Sequence, residues 1–295
     1  MSFPEPLVDT RMLGRWRIHA IQAGGQQLDG GAMFGVVPKT LWERRLAADA
    51  RNRIPMGMRC LLVEHDDGLV LIDSGVGNKE SAKFHDIYGI ENAPSHDALV
   101  GRTSLEAGIA KAGFSTDDVS LVINTHLHFD HAGGNTWRNE AGEVRATCAN
   151  ARYVVQRGEY AWATQTNERT SASYFPHNWD VIFAADRFDL IEGEPELRPG
   201  IRVRRTPGHT PHHQSVLLTS AGETLCFLGD VVPTAHHLPL PWIMGYDVEP
   251  LVTLESKRAL LREALENDWL LAFEHDAHVG FGRVANDGKG YRLAE

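Results

Sequence analysis

Directly behind the apolar run Val119-Ser120-Leu121-Val122-Ile123-Asn124, the chain reads Thr125-His126-Leu127-His128-Phe129-Asp130-His131-Ala132-Gly133-Gly134. Four potential metal ligands therefore fall within six residues, just past a segment that reads as a buried strand. In extended backbone, residues i and i+2 point to the same side, so His126 and His128 can grip one ion while Asp130 and His131 face a second. Functional side chains of this kind sit on loops held by a rigid scaffold, and Gly133-Gly134 lets the backbone turn tightly behind them. The fold must then be one that ends a buried strand at a polar, ligand-bearing loop.

The rest of the chain supplies more strand ends of the same character. Thr206-Pro207-Gly208-His209-Thr210, Leu228-Gly229-Asp230 and Phe273-Glu274-His275-Asp276 each follow a run predicted as a strand, at 201–205, 224–228 and 269–273. Further strands are predicted at 153–156 and 215–219. Trp16, Ile18 and Ala20 alternate with Arg15, Arg17 and His19, as in a strand with one buried face, and Cys60–Asp73 reads as a hairpin turning at Asp66-Asp67-Gly68. A helix is predicted over 103–112. A second carries Leu251, Leu254, Leu261 and Leu265 on one face. The segment 24–45, rich in glycine yet bearing Met33, Phe34, Val36 and Val37, reads as a loop covering an active site or a dimer interface. Strands and hairpins, a helix, then strands and helices again do not alternate strictly, so a sheet sandwich with outer helices is expected over a doubly wound sheet. No repeat or linker divides the 295 residues, and one domain is expected.

The order His-x-His-x-Asp-His, Gly-His-Thr, Gly-Asp and a late strand-end His resembles the metallo-β-lactamase superfamily over most of the chain. That resemblance implies an α/β fold, an αβ/βα sandwich of two mixed sheets flanked by helices, with two metal ions sharing a hydroxide. It implies His126, His128 and His209 as ligands of one ion and Asp130, His131 and His275 as ligands of the other, with Asp230 bridging and Asp130 or Asp230 passing a proton. Asp73 matches the family's strand-end Asp, which hydrogen-bonds a ligand imidazole and fixes its orientation. Zinc is the default for such a donor set, with manganese, iron or cobalt as alternatives.

The segments 30–42, Pro233–His237 and Tyr246-Asp247 resemble the YtnP-type quorum-quenching lactonases, which are similar to N-acyl homoserine lactonases and to methyl parathion hydrolase. The function implied is the opening of a lactone ring by the metal-bridging hydroxide. Phosphotriester or aryl-ester hydrolysis at the same site is the alternative, and iron-dependent oxidoreduction on the same scaffold a further one. Several homoserine lactonases carry Tyr three residues after the bridging Asp, where this chain has Pro233. Tyr246, His236 or His237 are the candidates to replace that phenol, and Met33 and Phe34 the candidates for an apolar substrate pocket. His213 is read as structural.

Composition narrows the partners. A formal charge of −10, from 29 basic and 39 acidic residues, repels a phosphate backbone or an anionic membrane surface, so a small ester or lactone is expected and nucleic acid is not. The opening MSFPEPLVDTRMLGRW has no basic start followed by an apolar run, and no run of 18 apolar residues occurs, so a cytoplasmic protein, possible as a homodimer, is the expectation. Three cysteines without Cys-x-x-Cys spacing read as reduced packing residues.

Overall fold

The computed structural model describes residues 7–90 and 103–294. His96, read as a surface or packing residue, lies outside them. The chain forms two compact units, one comprising Met1–Gly25 and Met58–Glu192, the other Gln26–Gly57 and Gly193–Glu295. Each is therefore assembled from two separate stretches of sequence. This interleaving is invisible to a search for linkers, because two of the three crossings fall inside the long strands Trp16–Asp29 and Arg53–His65 and the third follows the strand Phe188–Ile191 in a short loop.

The first unit is built on a seven-stranded mixed sheet in the order β1-β2-β3-β4-β5-β8-β9. Its members are β1 (Val8–Leu13), β2 (Trp16–Asp29), β3 (Arg53–His65), β4 (Gly68–Ile72), β5 (Val119–Ile123), β8 (Arg152–Gln156) and β9 (Phe188–Ile191), while β6 (Thr136–Arg138) and β7 (Val144–Ala146) pair as a separate hairpin. The predicted hairpin is β3–β4, with His65 paired to Gly68 across Asp66-Asp67. From β4 to β9 the pairing is parallel, and β4, β5 and β8 are accordingly almost wholly buried. Parallel strands bring their carboxyl ends to one edge, where such sheets bind ligands. Asp73 follows β4 there and Thr125–His131 follows β5.

The one-sided reading of β2 fails after Arg17. His19 is buried, taking Thr10 Oγ1 at 2.8 Å and Glu64 Oε1 at 2.9 Å, so its polarity is satisfied inside rather than by water.

The second unit carries a six-stranded sheet in the order β10-β11-β12-β13-β14-β15. These are β10 (Glu196–Arg198), β11 (Ile201–Arg205), β12 (Gln214–Ser220), β13 (Glu223–Phe227), β14 (Leu270–Ala272) and β15 (Phe281–Gly282), with β16 (Val284–Asn286) and β17 (Tyr291–Leu293) pairing apart. β13 and β14 are parallel, joined by the helix Pro250–Glu266.

That helix buries Thr253, Lys257, Leu260, Leu261 and Ala264, which corrects the predicted face: Leu251 is 78% and Leu265 38% exposed. The leucine count misplaces the stripe because a lysine stands at its centre. Lys257 Nζ donates to the carbonyls of Pro239 and Trp242, each at 2.8 Å, and burial pushes its pKa down to about 7, with Asp247 opposing. The unfolded chain thus holds a proton on Lys257 that the folded chain sheds above pH 7, and folding stability gained from this group rises with pH up to about 10.5. Denaturant midpoints of the protein and of Lys257→Met, taken at pH 7 and pH 9, are expected to shift in favour of the native lysine by about 2 kcal/mol at the higher pH. A pH-independent difference would contradict this.

The segment 24–45, predicted as a loop, contains strand and helix instead. β2 runs to Asp29, whose carboxylate accepts from the Ala32 N–H and caps a short helix, Gly30–Phe34, and a second follows at Lys39–Trp42. Met33, Phe34 and Trp42 are 1%, 0% and 1% exposed, so the apolar residues that suggested a cover are packed in the second unit's interior, whereas Val36 is 92% exposed. Burial of side chains this large stabilises a fold by roughly 1.5–3 kcal/mol each. Cys60, Cys148 and Cys226 are buried, and none forms a disulfide among the described residues.

Candidate metal centre

In the first unit, β5 ends at Ile123 and the chain passes through Thr125 and His126 into a one-turn helix, Phe129–Ala132. The ligand atoms of His126 and His128 approach within 4.8 Å of each other, as do those of Asp130 and His131. Asp73 organises this set. Its Oδ1 accepts from the Thr125 N–H at 2.8 Å, and its Oδ2 accepts from the Thr125 hydroxyl at 2.6 Å and from His131 Nδ1 at 3.1 Å. Since the Thr125 proton goes to Asp73, the Thr125 oxygen accepts from His126 Nδ1 at 3.0 Å. One buried carboxylate thereby sets the tautomer of two imidazoles, both of which present Nε2 as a lone pair. Asp73 holds a φ of 54°, a left-handed conformation uncommon for a residue with a side chain.

Gly133 and Gly134 serve close approach rather than a tight turn. A Cβ at Gly134 would lie 2.0 Å from the Ser74 carbonyl oxygen and one at Gly133 2.4 Å from that of Val76. Beyond them, buried Glu159 accepts from the Leu127 N–H and the Tyr174 hydroxyl, fixing the backbone between the two histidines, and the Tyr174 ring packs 4.6 Å from that of His128. An aromatic group stands next to Asp130: Phe129 packs with Phe84, Tyr88 and Phe175, and the Tyr88 hydroxyl is raised in pKa by burial and then by the charge of Asp130.

In the second unit, Asp230 stands between two imidazoles. Its Oδ2 is 3.0 Å from His209 Nε2 and its Oδ1 3.0 Å from His275 Nε2. His209 Nδ1 donates to Asp247 Oδ1 at 2.9 Å and His275 Nδ1 to the Gly57 carbonyl at 2.8 Å. With each Nδ1 engaged as a donor, each Nε2 faces a carboxylate oxygen. Such a contact is attractive when a proton or a metal ion lies in it, and two ligand atoms each about 2.0–2.2 Å from one zinc-like ion are spaced by about 3 Å. The donor set and its spacing fit a divalent ion on each side of Asp230.

Close backbone packing positions His209 as well. Gly208 has a φ of 133°, and a Cβ there would lie 2.2 Å from Thr253 N. His275 is placed by its N–H bond to the Pro233 carbonyl at 3.0 Å, which is the role Pro233 fills here.

Of the pocket candidates, His237 is 1% exposed, stacked 4.7 Å from Phe34, with Nδ1 against Thr234 Oγ1 and Nε2 against the Met33 carbonyl. Burial pushes its pKa down to about 3. His237, Phe34 and Met33 are thus engaged with one another, while His236 is half-buried and Tyr246 exposed. The sequence reading gave Thr125, Glu159 and the Gly57 carbonyl no role at the site, and named Asp247 only within the segment Tyr246-Asp247. Thr125 alone had a signal, its place directly before His126.

The metallo-β-lactamase superfamily model matches residues 57–275. An N-acyl homoserine lactonase of Bacillus cereus is 28% identical over 232 residues, 76% of this chain and 83% of that protein. A probable metallo-hydrolase of Mycobacterium tuberculosis is 26% identical, covering 68% and 66% of the two chains. Among solved structures, a probable metal-dependent hydrolase from Staphylococcus aureus superposes with a TM-score of 0.85 at 30% identity over 97% of this chain and 99% of that one. AidC, a dizinc quorum-quenching lactonase, shares the fold with a TM-score of 0.78 at 18% identity, covering 97% and 96%. With its strand-end histidines and aspartates arranged as ligand sets and the family match spanning most of its length, the chain belongs to the metallo-β-lactamase superfamily and is a metal-dependent hydrolase.

Proposed function

We propose that this hydrolase opens lactone rings, with N-acyl homoserine lactones as its substrate class, and that the whole chain acts as one catalytic domain. His126, His128 and His209 would hold one divalent ion and Asp130, His131 and His275 a second, with Asp230 shared. Such ions supply Lewis acidity toward a carbonyl oxygen and make water acidic enough to attack near neutral pH. The observation that carries the reading is Asp230, whose two oxygens face two imidazole Nε2 atoms, one each, at 3.0 Å.

The protein's own contribution is preorganisation. Asp73, Thr125, Asp247 and the Gly57 carbonyl keep the Nδ1 of His126, His131, His209 and His275 bonded and their Nε2 atoms aimed, so these rings are oriented before substrate binds. Asp130 or Asp230 would pass the proton of the attacking oxygen to the ring oxygen as it leaves. The rings of Phe84, Tyr88, Phe129 and Phe175 beside Asp130 offer an apolar wall that suits the acyl substituent of a lactone. The relatives named as N-acyl homoserine lactonases support the same substrate class.

The test is acid release from N-hexanoyl homoserine lactone by metal-loaded protein and after stripping with a chelator. A kcat/KM above about 10⁴ M⁻¹s⁻¹, lost on stripping and restored by zinc, manganese or cobalt, is expected. Fully loaded protein that ignores lactones but turns over paraoxon or an aryl ester would overturn the substrate class. Turnover that survives stripping would overturn the metal-dependent scheme.

A further inference from the structure

We infer that His213 is a positioning residue that sets the orientation of Asp230 through its backbone; this rests on the proposed role of Asp230. His213 is fully buried on the segment just after His209. Its Nε2 accepts from the Asp230 N–H at 3.0 Å, so that nitrogen carries the lone pair and Nδ1 carries the proton. Nδ1 then donates to Thr206 Oγ1 at 2.8 Å. Ser215 Oγ gives its only proton to the Leu228 carbonyl at 2.9 Å, so the Thr206 hydroxyl must donate to Ser215 Oγ at 3.0 Å. Every proton in the chain Asp230, His213, Thr206, Ser215, Leu228 is assigned, with no alternative direction.

The chain closes on the turn that carries the shared carboxylate. Leu228 is held at its carbonyl by Ser215, Asp230 at its N–H by His213, and Gly229 between them has a φ of 55°, a left-handed hinge that would otherwise be free to rotate. The same histidine closes the His209 loop, because Thr206 N donates to the His213 carbonyl at 2.9 Å and His213 N to that of Thr210 at 3.3 Å. Its ring lies edge-on to that of His209 with centroids 6.1 Å apart. His213 therefore couples the loop of one ligand to the turn of another without offering either ion a nitrogen.

Side-chain shape provides the test. The amide oxygen of glutamine reaches where Nε2 stands and can accept from Asp230 N–H, whereas asparagine stops at the position of Nδ1 and can engage only Thr206. His213→Gln and His213→Asn, with Thr206→Val as a variant that leaves His213 in place but removes the acceptor of its Nδ1 proton, are compared with the natural protein for cobalt(II) affinity by chelator competition, for kcat and KM on N-hexanoyl homoserine lactone, and for thermal unfolding. His213→Asn is expected to bind the metal about 10- to 100-fold more weakly and to lose kcat by a similar factor with little change in KM, and His213→Gln and Thr206→Val, which both keep an acceptor for the Asp230 N–H, to stay within about threefold of the natural protein. Asn and Gln variants equal in metal affinity and kcat would overturn the inference, as would a Thr206→Val variant as weak as His213→Asn. If the natural protein itself binds no cobalt or opens no lactone, the proposed function fails instead, and the two failures are distinguishable.

Discussion

Asp230→Asn is expected to reduce kcat/KM by at least about 10³-fold and to release one equivalent of metal, while leaving the metal-free protein as stable as the natural one or more so. The opposite signs follow from the same geometry. In the metal-free protein, each carboxylate oxygen faces an imidazole Nε2 at 3.0 Å, a contact that is attractive only when the ring takes up a proton. An amide replaces one oxygen with a donor that can bond a neutral ring directly, so that contact needs no added proton. In the loaded protein the same change deletes the carboxylate proposed to serve both ions, and outer-sphere losses alone reach 10- to 100-fold at such centres, so removal of a ligand is expected to exceed them. Thermal unfolding with and without excess chelator separates the effects. The variant should melt at or above the natural protein with chelator and below it with zinc. A variant that melts lower under both conditions would show Asp230 to be a structural carboxylate, and would remove the observation on which the metal reading stands.

What the sequence made legible follows from how locally each feature is encoded. His126, His128, Asp130 and His131 lie within six residues after one buried strand, so spacing alone suggested their grouping. The strand runs before His209, Asp230 and His275 were legible for the same reason, each being a short run, alternating at 201–205 and apolar at 224–228 and 269–273, that leads to a candidate ligand. The partners that fix the imidazoles were not, because Thr125, Asp247 and the Gly57 carbonyl gain their meaning only from tertiary contact with a ring. The helix Pro250–Glu266 shows a second limit. A leucine pattern assumes that burial follows hydropathy, and there a lysine neutralised in its effect by backbone carbonyls occupies the centre of the packed face. The segment 24–45 shows a third, since its glycines signalled a loop while its aromatic residues were already committed to a stack with His237, a residue some two hundred positions away.

Asp73→Ala is expected to weaken metal binding by about 10- to 100-fold and to destabilise the protein by roughly 3 kcal/mol or more. Three donors lose their acceptor at once: the Thr125 N–H, the Thr125 hydroxyl and His131 Nδ1. All three groups are buried, and a buried donor left unsatisfied costs about 1–3 kcal/mol. His131 loses the bond that selects its tautomer directly, and His126 loses it through Thr125, whose hydroxyl becomes free to rotate. Asp73→Asn separates the two consequences. It keeps the side-chain shape, tolerates the left-handed backbone at this position, and retains one oxygen for the Thr125 N–H, but turns a donor toward Thr125 Oγ1 and His131 Nδ1. The asparagine variant should therefore recover part of the stability, read as the denaturant midpoint, while its cobalt affinity stays as low as that of the alanine variant. Recovery of both would mean that Asp73 acts through packing alone and that the orientation of His126 and His131 is set elsewhere.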